Sequence, residues 1–127
     1  ARGGSKRIHK KNIKTFCGKP IISYSLEAAE SSNLFDTIHV STDCNEIAEV
    51  VTKLGYSIDF LRDPNLADDM TPIMPVLKWV ISEYESRNIY FDEVVLLMPC
   101  SPMIESFDLP CPKYVHPWVP CLDFGRC

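Results

Sequence analysis

The stretch Thr37-Ile-His-Val-Ser-Thr-Asp43 has the residue types of a short β-strand that ends in polar side chains. Asn45 follows as a predicted helix cap, and Gly55 is placed to close that helix. Between them, apolar side chains recur with helical spacing, at Ile47, Val50, Val51 and Leu54. A strand that leads directly into a helix is the repeating unit of a doubly wound α/β sheet.

The same pattern extends on both sides of this stretch. Upstream, residues 18–32 predict a helix with Pro20 at its first position, where a missing backbone N–H is tolerated. Its apolar or small residues form a helical stripe, at Ile21, Tyr24, Ser25, Ala28 and Ala29. Downstream, Ser57-Ile-Asp-Phe-Leu61 predicts a second strand, and residues 62–69 form a polar connection.

A third helix and a third strand complete the alternation. The helix presents one apolar face, at Ile73, Val76, Leu77, Val80, Ile81 and Tyr84. Its start is open, because Thr71 and Pro72 favour one position and Pro75 favours a later one. Glu93-Val-Val-Leu-Leu-Met98 is the apolar run expected of a strand covered on both faces. We therefore predict an α/β fold with a doubly wound, Rossmann-like, mostly parallel sheet.

The two ends of the sequence depart from this plan. The strand that feeds the first loop of such a sheet is usually central, yet no apolar strand precedes the glycine-rich opening, so we expect a gap between its neighbours. Six of the ten prolines and four of the six cysteines fall in residues 99–127. We expect a partial domain over residues 1–109, incomplete at both ends, and an atypical tail without regular structure over 110–127.

Composition narrows the class of protein. With 127 residues, 46% of them hydrophobic and 24% charged, the chain matches one ordinary globular domain rather than a disordered or coiled-coil protein. No apolar run reaches the roughly 20 residues of a membrane span. No apolar stretch typical of a secretory signal follows the basic opening, so we expect a cytoplasmic protein.

Charge is distributed unevenly along the chain. Seven basic residues precede the first acid, Glu27, whereas the remaining six bases and seventeen acids leave the rest at −11. A concentrated cationic segment on an acidic body favours an anionic ligand. A solvated basic tail or a nucleic-acid arm is the alternative, but the absence of interleaved aromatic residues argues against an RNA-binding surface.

Residues 1–12, Ala-Arg-Gly-Gly-Ser-Lys-Arg-Ile-His-Lys-Lys-Asn, contain the parts of a polyphosphate cradle. Gly3 and Gly4 let backbone N–H groups approach phosphate oxygens, and Ser5 adds a hydroxyl donor. Arg2, Lys6 and Lys11 supply positive charge. The spacing matches neither the Walker motif nor the dinucleotide fingerprint, so on spacing alone a flexible basic loop stays open as an alternative.

Six ordered blocks of the sequence resemble one enzyme family. They are ARGGSKRI…KKNIK (1–14), FCGKPIISYSLEAA (16–29), LFDTIHVSTD (34–43), EIAEVV (46–51), FLRDPNLADDMTP (60–72) and VVLLMPCSP (94–102). Through them, residues 1–109 resemble the N-terminal nucleotide-binding half of the acylneuraminate cytidylyltransferases, the CMP-sialic acid synthetase family. The likeness is strongest to bacterial members that act on nonulosonic acids such as pseudaminic acid, and it does not extend into residues 110–127.

The resemblance implies a nucleotidyltransferase reaction. The anomeric hydroxyl of a nine-carbon α-keto acid sugar would attack the α-phosphate of CTP, releasing pyrophosphate and forming a CMP-sugar, with Mg²⁺ bridging the phosphates. Such a transfer depends mainly on positioning and on neutralisation of developing charge, which a cationic loop and a metal ion can supply. The family also implies a homodimer.

The family's binding residues can be carried over to positions of this sequence. The resemblance implies a triphosphate site with Gly3 and Gly4 in its loop, held by the side chains of Arg2, Ser5, Lys6 and Lys11. The catalytic candidates among them are Arg2, Lys6 and Lys11. The resemblance further implies nucleotide recognition by Asn12 and Arg62, with Thr71 and Ser101 as additional candidates at corresponding loops.

The sequence also departs from the family. Many members have Gln where this chain has Met98. The family's later metal-binding aspartates and its dimerisation segment have no counterpart, so we expect no protein ligands for the metal ion here. A non-catalytic CTP-binding fragment or a defective truncated product is therefore the alternative function. A 3-deoxy-manno-octulosonate cytidylyltransferase ranks lower, because its loop would be expected to lack the Gly-Gly-Ser-Lys arrangement.

Four residues have a structural explanation that we prefer to a functional one. Asp43 ends the first strand at the edge where such sheets bind ligands, but capping of the next helix is the simpler role than metal or ribose binding. Cys17 and Cys44 are expected to be reduced thiols. Trp79 lies beside the apolar stripe of the third helix, so packing explains it before nucleotide stacking does.

Overall fold

The predicted helices are all present. The computed structural model describes residues 1, 3–4, 10–68, 70–106 and 109, and the backbone of residues 121–123. Its elements in chain order are β1 (Thr15–Phe16), β2 (Lys19–Pro20), α1 (Ile21–Ser32), α2 (Asn45–Lys53), α3 (Ile73–Glu85), β3 (Glu93–Val95) and β4 (Cys121–Asp123), with short 3₁₀ turns at Lys11–Ile13 and Pro64–Leu66. No helix in this part of the chain is long and apolar enough to cross a bilayer.

A tight hairpin that the sequence analysis does not predict precedes α1. β1 and β2 pair antiparallel through a turn at Cys17 and Gly18, whose φ angles are 46° and 89°. Two positive φ angles are the signature of the turn type that suits the twist of a two-residue hairpin. Because the hairpin uses Pro20 as its last residue, the helix begins at Ile21, and the prediction of Pro20 as the first helical residue is wrong.

The main core joins α1, α2 and the extended stretch between them. Ile22, Leu26, Val40, Ile47 and Val51 are all at least nine-tenths buried and form one cluster. Two of these residues lie on α1 but outside the predicted stripe, whose members Ile21 and Tyr24 are only half-buried. The other three members of the predicted stripe, Ser25, Ala28 and Ala29, are buried as predicted, so the buried face of α1 is broader than the stripe.

The end of α2 is as predicted, but its start is not. Gly55 adopts a φ of 93°, and its N–H donates to the carbonyl of Thr52, which closes the helix. At the other end Cys44 is the cap residue, with no side-chain cap hydrogen bond, and Asn45 is already helical. The expectations that Asn45 or Asp43 caps this helix are therefore wrong.

Strand pairing differs most from the prediction. In the described part of the chain the ladders are β1 with β2 and β3 with β4, both antiparallel, and the predicted strands 37–43 and 57–61 belong to neither. One backbone hydrogen bond, from Arg62 N–H to the carbonyl of Thr42 at 2.7 Å, joins the ends of these two stretches. Of the predicted strand 93–98 only β3 is paired in the described part of the chain. Its partner comes from residues 121–123, where the sequence has no strand periodicity.

A cavity of about 260 Å³ lies between the stretch 37–41 and the stretch 93–99, with α1 and α3 on its sides. Its lining is mostly apolar and includes Ile38, Val40, Leu77, Val95 and Leu97. The stretch 94–97, expected to be covered on both faces, is only half-buried because it borders this cavity.

The start of α3, left open by the sequence, is settled at Ile73, with Pro72 as the cap residue. Pro75 falls in the first turn, where backbone N–H groups have no acceptor within the helix, so it does not interrupt the helix. The buried face includes Tyr84, whose ring packs edge-on against Phe60 at 5.1 Å between centroids. Trp79 packs against the same Phe60 at 5.6 Å, which confirms a packing role.

Candidate functional site

The glycine-rich segment is anchored to the end of the stretch 37–43. The amino group of Ala1 donates to the carbonyl of Ser41 at 2.7 Å. Two residues later, the backbone N–H of Gly3 donates to Oδ1 of Asp43 at 3.1 Å. These bonds place the segment beside the polar end of that stretch, which corresponds to the edge where open α/β sheets bind ligands.

Close packing leaves no room for a side chain at Gly3. A Cβ atom at this position would lie 2.8 Å from Cβ of Cys44 and 3.1 Å from its Sγ, so no side chain fits without displacing the backbone. A Cβ at Gly4 would meet nothing within 4 Å. The sequence analysis explains both glycines by approach of phosphate; for Gly3 the structure adds an internal contact that needs glycine.

Arg62 reaches the same place from the connection before α3. Its Nε donates to Oγ of Ser41 at 3.0 Å, and its Nη2 donates to the carbonyl of Ser41 at 2.9 Å. The Ser41 carbonyl therefore accepts from both Arg62 and the amino group of Ala1. A predicted nucleotide-binding residue and the start of the predicted phosphate loop thus share one anchor.

Lys11 and Asn12 lie in the 3₁₀ turn that follows the glycine-rich segment. Asn12 is 8% exposed and Lys11 is half-buried, and the turn packs between α1 and α2. Before them, Lys10 has a positive φ of 49°, and its Nζ forms an ion pair with Glu46 of α2 at 2.7 Å. This bond ties the far end of the segment to α2, as Asp43 ties its start.

The other predicted site residues stand apart from this anchor or outside the described residues. Arg2, Ser5 and Lys6 lie outside the described residues. Thr71 donates its hydroxyl and its N–H to Asp68 within its own loop. Ser101 lies in a turn in which its carbonyl accepts the N–H of Ile104 at 3.2 Å.

Sequence reasoning missed the residues that hold the segment in place, Ser41 and Cys44, and it gave Asp43 a different role. All three fall in the polar run after the stretch 37–40, which is the only signal in the sequence that points to them. The structure brings this run together with Gly3 and Arg62. Among the described residues, no group of three or more His, Cys, Asp or Glu side chains is arranged to hold a metal ion.

Comparison with known proteins gives a consistent result. Residues 1–97 match the family model described as cytidylyltransferase. Pseudaminic acid cytidylyltransferase of Campylobacter jejuni is 45% identical over 106 residues, which are 84% of this chain and 46% of that protein. CMP-N,N'-diacetyllegionaminic acid synthase of Legionella pneumophila is 37% identical over 102 residues, 80% of this chain and 44% of that protein. The chain therefore spans about half the length of these curated relatives.

A solved structure shares the fold. The structure of CMP:2-keto-3-deoxy-manno-octonic acid synthetase complexed with CTP superposes with a TM-score of 0.69 and 24% identity. The match covers 85% of this chain and 41% of that one. This chain therefore has an α/β architecture of the nucleotidyltransferase fold. In its described residues the strand ladders are antiparallel, unlike the predicted parallel sheet.

Proposed function

Because the chain belongs to the cytidylyltransferase family, we propose that it forms the nucleotide-binding part of an enzyme that activates a sialic-acid-like nonulosonic acid with CTP. The observation that carries this proposal is the anchoring of the glycine-rich segment and Arg62 on the same residue, Ser41. A cationic, glycine-rich segment whose Gly3 is hydrogen-bonded at the polar end of the stretch 37–43 is suited to a polyphosphate.

In the proposed reaction, the anomeric hydroxyl oxygen of the sugar forms a bond to the α-phosphorus of CTP. The bond from that phosphorus to the bridging oxygen of the β-phosphate breaks, pyrophosphate leaves, and the hydroxyl proton passes to solvent. The cationic side chains that neutralise the developing charge are those of Arg2, Lys6 and Lys11. Gly3, Gly4 and Ser5 shape the loop around the phosphates.

Recognition of the nucleotide is assigned to four further residues. Asn12 and Arg62 are supported by their positions, since Asn12 is buried next to the segment and Arg62 contacts its anchor. Thr71 and Ser101 follow from the family pattern. Their loops lie before α3 and after β3.

Mg²⁺ belongs to the proposal as the ion that accompanies the CTP phosphates. The described residues do not supply a ligand cluster for it. We therefore assign no metal-binding role to them and derive no step through the ion.

The finer description of the molecule rests on the same reasoning. We infer a doubly wound, mostly parallel sheet in a nucleotide-binding domain over residues 1–109, to which residues 121–123 add the antiparallel strand β4. The cavity between 37–41 and 93–99 supports a central strand position. The proposed partners are CTP and the sugar, and we propose no nucleic-acid or membrane partner. The proposed location is the cytoplasm. The family homodimer would need the family's dimerisation segment, to which no part of this sequence corresponds.

The sugar is proposed from the relatives. Pseudaminic acid is the first sugar to test, because a pseudaminic acid cytidylyltransferase is 45% identical to this chain over 106 residues. The 3-deoxy-manno-octulosonate alternative has only the structural neighbour in its favour, and at 24% identity that likeness concerns the fold alone.

A binding and turnover experiment tests the proposal. CTP affinity is measured by calorimetry with Mg²⁺, and pyrophosphate release is followed with pseudaminic, N-acetylneuraminic and 3-deoxy-manno-octulosonic acids. Lys11→Ala should weaken CTP binding about tenfold, the effect of losing one charge-assisted hydrogen bond. Lys14→Ala, an exposed lysine of the same basic segment, is the matched control and should bind CTP normally.

The outcomes separate the two candidate functions. Pyrophosphate release with any of the sugars supports the enzyme. CTP binding without release supports the non-catalytic fragment. A chain that binds no CTP, or one in which both lysine variants bind equally well, contradicts the site.

A further inference from the structure

The carboxylate of Asp43 contacts the one glycine of the opening segment that has no room for a side chain. We propose that Asp43 is a positioning residue, which acts through Gly3 to set the path of the nucleotide loop. The inference deepens the proposed function and rests on it. Its basis is the hydrogen bond from Gly3 N–H to Oδ1 of Asp43 at 3.1 Å, which joins residues forty positions apart.

The local structure does not need this carboxylate. The cap residue of α2 is Cys44, and no side chain caps the helix there. The turn before α2 is stabilised by Thr42, whose Oγ1 accepts the N–H of Cys44 at 3.2 Å. The contact of Asp43 with Gly3 is therefore a long-range one, and it fixes the start of the glycine-rich segment rather than the helix.

Cys44, the residue after Asp43, restricts Gly3 from a second side. An added Cβ at Gly3 would lie 2.8 Å from Cβ of Cys44, so the Cys44 side chain leaves no room for it. Asp43 accepts the hydrogen bond from the amide of Gly3, and the side chain of Cys44 restricts the space beside Gly3 Cα. Two consecutive residues thus restrict the position of Gly3.

A fixed start matters for an anion-binding loop. A loop that is ordered before the ligand arrives does not lose conformational entropy on binding, so its affinity is higher than that of a free loop. The carboxylate itself is negative and repels phosphate, so its contribution must come through geometry. Neutralisation with retention of the acceptor should therefore preserve binding, whereas removal of the acceptor should weaken it.

Two variants at Asp43 test this distinction. In Asp43→Ala the acceptor is lost, and CTP affinity measured by calorimetry should fall about tenfold, the equivalent of one hydrogen bond to a charged group. In Asp43→Asn the oxygen acceptor remains, and affinity should stay within about threefold of the wild type. Asp63→Ala is the matched control, because Asp63 accepts the N–H of Asn65 in a different loop.

A second readout follows the contact directly. Hydrogen exchange at the Gly3 amide, measured by NMR, should accelerate in Asp43→Ala and stay slow in Asp43→Asn and Asp63→Ala. Melting temperatures of all variants are recorded, since a merely structural role would lower the melting temperature without a difference in CTP affinity at a temperature where all are folded.

The outcomes distinguish this inference from the proposed function. If Gly3 exchange is unchanged in Asp43→Ala, or if exchange accelerates while CTP affinity stays the same, the positioning role is overturned. If the wild-type chain binds no CTP although Gly3 exchange depends on Asp43, the nucleotide function fails while the contact between the two residues is supported.

Discussion

The guanidinium of Arg62 donates to both the hydroxyl and the carbonyl oxygen of Ser41, at 3.0 and 2.9 Å. Two donors in a fixed plane make this a contact that a lysine cannot reproduce. In the same structure Ser41 anchors the amino group of Ala1, so a change at Arg62 reaches the glycine-rich segment.

Replacement of Arg62 by lysine should therefore fail to preserve the site. In Arg62→Lys we expect a loss of about 1–2 kcal/mol in the free energy of unfolding, measured with urea, because one of two hydrogen bonds from a charged donor is lost. CTP affinity should fall about tenfold or more. Arg87→Lys is the control, since Arg87 lies over the ring of Phe60 and is not the residue that donates to Ser41. Wild-type stability and affinity in Arg62→Lys would contradict the prediction.

A second prediction separates the two adjacent glycines. Gly3→Ala places a Cβ 2.8 Å from Cβ of Cys44, so it should lower the free energy of unfolding by about 1–3 kcal/mol. Gly4→Ala has open space and should change stability by less than about 0.5 kcal/mol. The double variant Gly3→Ala with Cys44→Gly removes the clashing Cβ. Its loss in the free energy of unfolding should therefore be smaller than the sum of the losses in the two single variants. Equal urea midpoints for both single glycine variants would refute the packing argument.

Much of the fold is readable from local sequence, and the reasons are specific. α2 follows from its apolar spacing and from Gly55, whose positive φ is a property of one residue. α3 is predicted from its apolar face. The sequence leaves its start open, because it does not show that Pro75 lies in the first turn, where proline is tolerated. The hairpin before α1 also has a local signal, because Cys17-Gly18 is a two-residue turn with glycine at a positive φ.

Pairing and anchoring are not readable in the same way. The partner of β3 is β4, from a tail whose sequence shows no strand periodicity. Alternation of apolar and polar residues within one strand does not identify the strand that it pairs with. The site shows the same limit. Its basic and glycine residues stand together in the sequence, whereas Ser41 and Asp43, which hold the segment, lie forty positions away.

The pairing of the tail leads to a third prediction. β4 is the antiparallel partner of β3, with Val94 opposite Leu122. Removal of residues 110–127 should therefore expose the β3 amides, and their hydrogen exchange measured by NMR should accelerate at least tenfold. The amides of α1 serve as the internal control, because its core contacts with Val40 and Val51 do not involve the tail. Slow exchange at β3 in the shortened chain would mean that the tail is dispensable for this part of the sheet.

A fourth prediction concerns pH and the buried imidazole of His39. Its ring packs 4.6 Å from Phe60 between centroids, and both of its nitrogens are buried without a hydrogen-bond partner in the described part of the chain. Burial lowers the pKa of His39 to about 4, with Asp59, 3.9 Å away, opposing the shift and Arg62 and Arg87 adding to it. The folded state thus prefers the neutral ring.

The sign follows from proton linkage. The unfolded chain binds a proton at His39 with a pKa near 6.5 and the folded chain only near 4, so protonation favours unfolding between these values. Stability is fully present above pH 6.5, falls as the pH decreases, and reaches its full loss below pH 4; at pH 5 the loss is about 2 kcal/mol. The measurement is a set of urea unfolding curves from pH 7.5 to pH 4, compared with His39→Phe, which keeps an aromatic ring in the cluster but cannot titrate. Because His39 is the one titratable group that differs between the two proteins, their difference reports on the imidazole. If the two proteins lose stability in parallel between pH 6.5 and pH 4, His39 does not carry the effect.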